Sequence, residues 1–217
     1  MKIRAIEVIP LVRKLDTEFL GGTYKITNRN TIVTRIHLEN GIVGECFGGD
    51  EDQTQGRIVA LLRDHLAPLL IGEDASEVER LWKKLFFRTH ATAVGAITSL
   101  ALAAVDTALW DLRCRRAGLP LWRMAGGAQR QVPTYTTEGG WLHLSRDEIV
   151  EQTLAARDAG FRGAKLKVGR PHVSEDADRL EAVRAAVGDA FEIMTDANQG
   201  FTVSESLRRA RAFGKHD

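Results

Sequence analysis

The sequence has little cysteine, no long apolar run and no excess of charge of either sign, and each shortage removes a class of explanation. Its two cysteines, Cys46 and Cys114, form neither a disulfide framework nor a metal-ligand spacing, which fits a reducing, cytoplasmic setting. Lys and Arg number 30 against 29 Asp and Glu, a net charge of +1, so nucleic acid and anionic membranes are not expected partners. No apolar stretch approaches the roughly 20 residues that span a bilayer. The opening MKIRAIEVIPLVRKL is charged and alternating, unlike a signal peptide. No segment is of low complexity. What remains is the composition of an ordinary globular protein, 44% hydrophobic and 27% charged over 217 residues, enough for one large domain or two modest ones.

The hydrophobic period changes along the chain. KIRAIEVIPL alternates, with Ile3, Ala5, Val8 and Leu11 as apolar marks, and reads as a strand. TIVTRIHLEN-GIVGECF reads as a hairpin around Asn40-Gly41, a pair that readily supplies positive φ. Two looser stretches, LGGTYKITNRN and FGGDEDQTQG, flank that hairpin. From about residue 54 to 117 the period is helical. Ile97, Leu100, Ala104, Ala108 and Leu112 mark one face of a long helix that should stop near Gly118 and Pro120. GLPLWRMAGGAQRQ then reads as a linker. Residues 1–130 are therefore expected to form an α+β domain.

After the linker, strand and helix alternate at roughly thirty residues per unit, the pattern of βαβ units on a parallel sheet. VPTYTT, GAKLKVG and FEIMTDAN are the strands. The helices are SRDEIVEQTLAARDAG, with Ser145 as N-cap and Glu148 three positions on, SEDADRLEAVRAAVG, capped by Ser174, and TVSESLRRARAFG. Residues 131–217 supply three such units. A closed (β/α)₈ barrel typically needs roughly 250 residues, so the barrel is expected to be incomplete in this chain, which reads as part of something longer.

Two positions draw attention because their residue types suit chemistry. In GAKLKVG the period of two puts Ala164, Leu166 and Val168 on one face and Lys165 and Lys167 on the other. Two ammonium groups that close disfavour each other's charge, and partial burial adds to this, so one could serve as a general base. The same pair would also suit a solvent-exposed edge strand guarded by lysines. In FEIMTDAN, Asp196 and Asn198 lie at the C-terminal end, where the active sites of parallel α/β proteins lie, and a carboxylate there is a hard oxygen ligand suited to Mg²⁺. Alternatively, either residue could simply cap the next helix.

KLKVG followed one unit later by MTDANQG resembles the enolase superfamily, in its mandelate racemase/muconate lactonizing branch. The resemblance extends to the long helix AVDTALWDLRCRRAGLPLWRMAGG, which is similar to that of the family's capping domain. YTTEGGWLHL, KLKVGRPHVSEDADRLEAVRAAVG and TDANQGF further resemble the acid-sugar dehydratases of the branch, galactarate/talarate enzymes above all. The resemblance implies an α+β capping domain, residues 1–130, followed by the first three units of a TIM-type barrel. It implies Mg²⁺-dependent abstraction of a proton α to a carboxylate, giving an enediolate, with dehydration of an acid sugar as the outcome. By resemblance Lys167 is the base, Lys165 its neighbour that lowers its pKa and helps bind the carboxylate, and Asp196 the first of three Mg²⁺ ligands. Asn198 would contact the substrate's α-hydroxyl or carboxylate. Two cap loops, LGGTYKITNRN and CFGGDED, would close on the substrate, with Tyr24 as a contact and the Gly21-Gly22 and Gly48-Gly49 pairs as hinges. Alternatively, Tyr24 is a surface tyrosine in a flexible loop. Glu138 to Trp141 lie at the correct end to approach a ligand, with no role assigned.

The family's other two metal carboxylates and a His–Asp base pair lie on later strands, beyond residue 217. None of His37, His65, His90, His143, His172 and His216 sits at a strand end with an aspartate partner. The chain alone is therefore expected to be nearly inactive. Two other outcomes stay open: a racemase or epimerase sharing the enediolate, and a non-catalytic remnant acting through its cap domain. Self-association into a homo-oligomer is expected from the resemblance.

Overall fold

The computed structural model describes residues 1–48, 55–92 and 95–214. Most of the predicted second cap loop, from Gly49 to Asp52, and His216 lie outside the described residues. The chain divides into two compact units, one of Met1–Leu15 with Asn28–Arg130, the other of Asp16–Thr27 with Gln131–Asp217.

Strands β1 (Ile3–Leu20), β2 (Lys25–Leu38) and β3 (Val43–Gly48) form a sheet in that order, most of it in the first unit. The predicted hairpin is present: β2 and β3 pair antiparallel from His37↔Val43 to Ile32↔Gly48, and Gly41 takes φ 85° in the turn. Alternation puts Ile32, Thr34, Ile36 and Leu38 inside, with Ile3 and Val8 of β1. The predicted loose stretch LGGTYKITNRN is mostly strand. β1 runs on to Leu20 and β2 starts at Lys25, because Ile26, Thr27, Thr31 and Ile32 favour the extended chain. Only residues 21–24 turn, closed by the Gly21 N–H on the Tyr24 carbonyl at 2.9 Å.

Helix α3 (Ala96–Ala117) packs on β3, and α1 (Gln55–Ala60) and α2 (Val78–Arg88) pack on α3. Between α1 and α2 the chain widens into a π-turn over Leu61–Leu66 and tightens at Ala67–Leu69. Helix α3 stops where the sequence predicts: Gly118 adopts φ 64°, and the Leu119 N–H returns to the Cys114 carbonyl. A short α4 (Leu121–Met124) follows Pro120. The small residues Ala101, Ala104 and Ala108 are buried along α3 and let β3 approach closely. A Cβ on Gly44 would fall 2.4 Å from the Ala108 carbonyl oxygen and 2.4 Å from Leu112 Cγ.

In the second unit, β4 (Tyr135–Thr136), β5 (Gly163–Lys167) and β6 (Glu192–Asp196) form a parallel sheet in sequence order, joined through α5 (Arg146–Asp158) and α6 (Val173–Val187) and followed by α7 (Val203–Phe213). Strand β4 has only two residues, fewer than VPTYTT predicts. Ile149, Ala164, Leu166, Val168, Leu180, Val183, Val187 and Phe191 make its core. Ser145 caps α5 as predicted: its side chain accepts from the Glu148 N–H, and Glu148 reaches back to the Ser145 N–H at 2.8 Å. The N-cap of α6 lies two residues earlier than predicted. His172, not Ser174, is its N-cap, because Glu175 at the third helical position returns to the His172 N–H at 2.9 Å. Among the described residues no helix is long and apolar enough to cross a membrane.

Gly44 tests the sheet-to-helix contact. Gly44→Ala should lower unfolding stability by about 1–3 kcal/mol, the cost of overpacking a tight core contact. Gly56→Ala, in α1 with nothing within 4 Å of the added carbon, should be neutral or slightly stabilising, and urea denaturation of both variants checks the contrast.

Candidate active site

The site grows from one register. Strands β5 and β6 are parallel, with Lys165 opposite Met194 and Lys167 opposite Asp196. Lys165 and Lys167 are two residues apart, so their side chains leave the same face, and the neighbouring strand presents Asp196 beside them. Lys167 Nζ donates to Asp196 Oδ2 at 2.8 Å, and Lys165 Nζ lies 3.0 Å from the same oxygen. Side-chain exposure is 6% for Lys167 and 26% for Lys165, so neither lysine guards an open edge.

This shared carboxylate changes the expected electrostatics. Two like charges alone would push a lysine down. Here the hydrogen bond to Asp196 outweighs desolvation and raises Lys165, with smaller contributions from the Tyr135 and Tyr24 phenols. At Asp196, burial opposes the charge, but the lysines and the Asn198 N–H together hold the carboxyl well below its usual range.

Asn198 departs from the strand alternation. Strand β6 ends at Asp196, and Asn198 and Gln199 take the left-handed φ values of 48° and 61°. The Asn198 N–H bonds Asp196 Oδ1 at 2.8 Å, and its amide Nδ2 bonds Asp196 Oδ2 at 3.3 Å. Its Oδ1 is buried with no hydrogen-bond partner. Asp196 is thus spoken for on both oxygens, while Asn198 keeps one acceptor free.

The hairpin turn at 21–24 is seated on the same strand ends. Thr23 Oγ1 donates to the Asn198 carbonyl at 3.0 Å. A Cβ on Gly22 would meet the Ala197 carbonyl oxygen at 2.7 Å, and one on Gly200 would come within 3.2 Å of Thr23 Cγ2. Glycine is what allows this approach. Tyr24 is 39% exposed, packs its ring over Gly21 and lies within electrostatic reach of Lys165. Among the described residues no hydrogen bond joins the Tyr24 side chain to the lysines or Asp196. The structure therefore brings Lys165, Lys167, Asp196 and Asn198 together, with Tyr24 at their margin.

Trp141 is the neighbour that the sequence leaves without a role. Lys167 Nζ lies 5.3 Å from the centroid of its ring, a cation–π distance. Phe19 packs between Trp141 and His143, with ring centroids 5.0 and 5.7 Å away, and the Leu20 N–H reaches His143 Nδ1 at 3.4 Å. The backbone of the preceding loop lies against β5: Gly140 accepts the Lys167 N–H at 2.6 Å, and a Cβ there would stand 2.3 Å from the Lys165 carbonyl oxygen. The paired glycines Gly139-Gly140 before an aromatic residue were the available signal.

A carboxylate with an unpartnered amide oxygen beside it is an oxygen donor set of the kind Mg²⁺ takes, so these residues fit part of such a site. Among the described residues, no three His, Cys, Asp or Glu side chains gather to complete one.

Comparison with known proteins agrees with this geometry. Residues 22–126 match the mandelate racemase/muconate lactonizing enzyme N-terminal domain, and residues 148–217 match the enolase C-terminal domain-like family. The chain belongs to the mandelate racemase/muconate lactonizing enzyme family. It is 32% identical to an L-talarate/galactarate dehydratase of Salmonella typhimurium, across 95% of this chain and 52% of that protein. It is 36% identical to a 3,6-anhydro-alpha-L-galactonate cycloisomerase of Streptomyces coelicolor, across 96% of this chain and 57% of that one. Among solved structures, the Salmonella typhimurium dehydratase liganded with Mg and L-lyxarohydroxamate superposes with a TM-score of 0.92 at 30% identity, covering 99% of this chain and 56% of that one. A Streptomyces coelicolor racemase with bound magnesium gives 0.94 at 32% identity, covering 99% and 60%. The chain spans a little over half the length of the curated relatives it matches.

The ion triad makes a stability prediction with a definite sign. Asp196→Asn leaves Lys167 buried without its counter-charge and should cost on the order of 3 kcal/mol at pH 7. A carboxyl held below its ordinary value adds stability that is fully present above that value and is lost as pH falls through the folded one. The gap between the native chain and Asp196→Asn should therefore be full at pH 7 and 5. It should shrink below about pH 4, as read by urea denaturation across that range.

Proposed function

We propose that these residues form the capping domain, 1–130, and the first three units, 131–217, of a (β/α)₈-barrel lyase that dehydrates an acid sugar in the presence of Mg²⁺. The observation that carries this reading is the meeting of Lys165, Lys167 and Asp196 at the C-terminal ends of adjacent parallel strands. Lys167, in its amine form, takes the proton α to the substrate carboxylate, and the electron pair left on carbon delocalises into that carboxylate. Lys165, more open to solvent, holds the carboxylate by charge. The free Asn198 Oδ1 accepts from a substrate hydroxyl. Asp196 would ligate the metal, and Mg²⁺, when bound, supplies positive charge where the carboxylate gains its second negative charge. The β-hydroxyl then takes a proton from a general acid on the later strands and leaves as water, and the resulting enol takes a proton at the β-carbon to give the 2-keto product. The burial of Lys167 and its place against Trp141 keep bulk water from the amine.

Relatives of similar identity carry the names dehydratase, cycloisomerase and racemase, so a racemase or epimerase sharing the first step is the second reading. The test is made on the whole enzyme with Mg²⁺ in D₂O, offered galactarate, talarate and related acid sugars. Loss of water with solvent deuterium at the β-carbon of the keto product marks the lyase, and deuterium at the α-carbon without loss of water marks the racemase. Lys167→Met should reduce both α-exchange and turnover by about 10³-fold or more. Undiminished α-exchange in that variant would remove Lys167 from the role.

A further inference from the structure

We propose that Arg179 is a positioning residue, whose one guanidinium grips the backbone carbonyls of Lys167 and Trp141 together and thereby sets the Lys167 ammonium against the indole face. The inference rests on the reading of Lys167 as the base. Arg179 projects from α6 and is 6% exposed. Its Nη2 donates to the Trp141 carbonyl at 2.9 Å and its Nη1 to the Lys167 carbonyl at 3.3 Å, while its Nε is buried with no partner.

A buried guanidinium held only by carbonyls is costly, because neutral partners do not repay the lost hydration of the charge. Asp176, one turn earlier on α6, offsets this only in part, by charge at a distance and without a hydrogen bond. That carboxylate accepts from the Gly169 and Arg170 N–H groups and from Arg209 Nη1 at 2.7 Å. Desolvation accordingly brings Arg179 down to about 10. An apolar side chain at this position of α6 would avoid the cost but could not hold two carbonyls at a fixed separation. A planar fork can.

The two carbonyls belong to the two residues whose side chains meet. Sheet pairing cannot hold them, since β4 and β5 share only the pairs Tyr135↔Gly163 and Thr136↔Ala164, well short of Trp141. Past that point the loop after β4 is tied to β5 by the Lys167 N–H on the Gly140 carbonyl and by the Arg179 fork. Arg170 repeats the device one step further, bonding the Leu142 and Leu144 carbonyls at 2.7 and 3.2 Å.

The test reads geometry, not turnover. In the full chain carrying ¹³C-labelled lysine, the Lys167 ε-methylene protons should be shifted upfield by the Trp141 ring. The signal is assigned by its absence in Lys167→Met, and the shift should vanish in Trp141→Leu. Arg179→Lys, which keeps the charge but loses the fork, should move the signal most of the way to the ordinary lysine position. Arg184→Lys, which loses the carbonyls of Gly188 and Phe191 at the far end of the same helix, should leave it in place. An unchanged shift in Arg179→Lys, or an equal loss in Arg184→Lys, overturns the proposal. If Arg179→Lys does not fold, the native chain labelled with ¹⁵N-arginine decides. Separate, exchange-protected Nη signals for Arg179 support the fork, and a single averaged signal overturns it. In the whole enzyme, Arg179→Lys should lower kcat by about a hundredfold with KM nearly unchanged. Should α-exchange survive in Lys167→Met while the shift behaves as expected, the base assignment fails and the positioning stands.

Discussion

One oxygen, Asp196 Oδ2, organises the second unit. It takes hydrogen bonds or close ion contacts from both lysines of β5 and from the Asn198 amide two residues on. The strand period puts the lysines on one face, and the parallel register puts the carboxylate beside them. A slip of one residue would turn both ammonium groups into the core now filled by Ala164, Leu166 and Val168. The charge cluster and the apolar core therefore specify the same register from opposite faces of one strand.

Around this cluster the backbone is packed more closely than side chains would allow. Gly22, Gly140 and Gly200 each sit where a Cβ would meet backbone or a neighbouring methyl at 3.2 Å or less. They bring the hairpin turn and the loop after β4 onto the ends of β5 and β6. Below them a buried ionic layer, with Asp176 and Arg209 each about 5% exposed or less, clamps the loop that leaves β5. Arg209 also lies over Phe201 at 4.6 Å and bonds Glu205, so α7 is joined to the same layer. Short strands can support a rigid site here because side chains reinforce the ladder that ends at Lys167↔Asp196.

The sequence was readable where one residue type has one local job. The hairpin at Asn40-Gly41, the helix stop at Gly118, the Ser145–Glu148 capping box and the Lys-x-Lys face followed from period and turn chemistry alone. It misled where two local rules competed. Glycines and asparagines made residues 20–30 look loose, yet β-branched neighbours kept most of them extended. Ser174 is a better cap by type than His172, but the reach of Glu175 decided the start of α6. Asn198 continues a strand by alternation, whereas the bond of its own N–H to Asp196 turns the chain left-handed. Trp141 was legible only as a residue at the ligand end, and Arg179 was not legible at all. Their partners lie 26 and 12 residues away, and no short-range pattern encodes a contact with a backbone carbonyl.

The division of chemistry along the chain follows from the same geometry. On the proposed reading, a base and a metal-ligating carboxylate on neighbouring strands would define where a proton leaves a carbon. They are silent on what happens to that carbon next, since a group that returns a proton or releases water must approach from the other face of the substrate. Relatives named for dehydration and for cycloisomerisation match these residues at 32% and 36% identity along nearly the whole chain. That is the pattern expected if this segment holds the shared first step. On the proposed reading, the precision spent here, a carboxylate between two lysines, an indole against one of them and an arginine fork behind, would serve that step: it fixes one amine in one direction, a requirement common to every later fate of the intermediate.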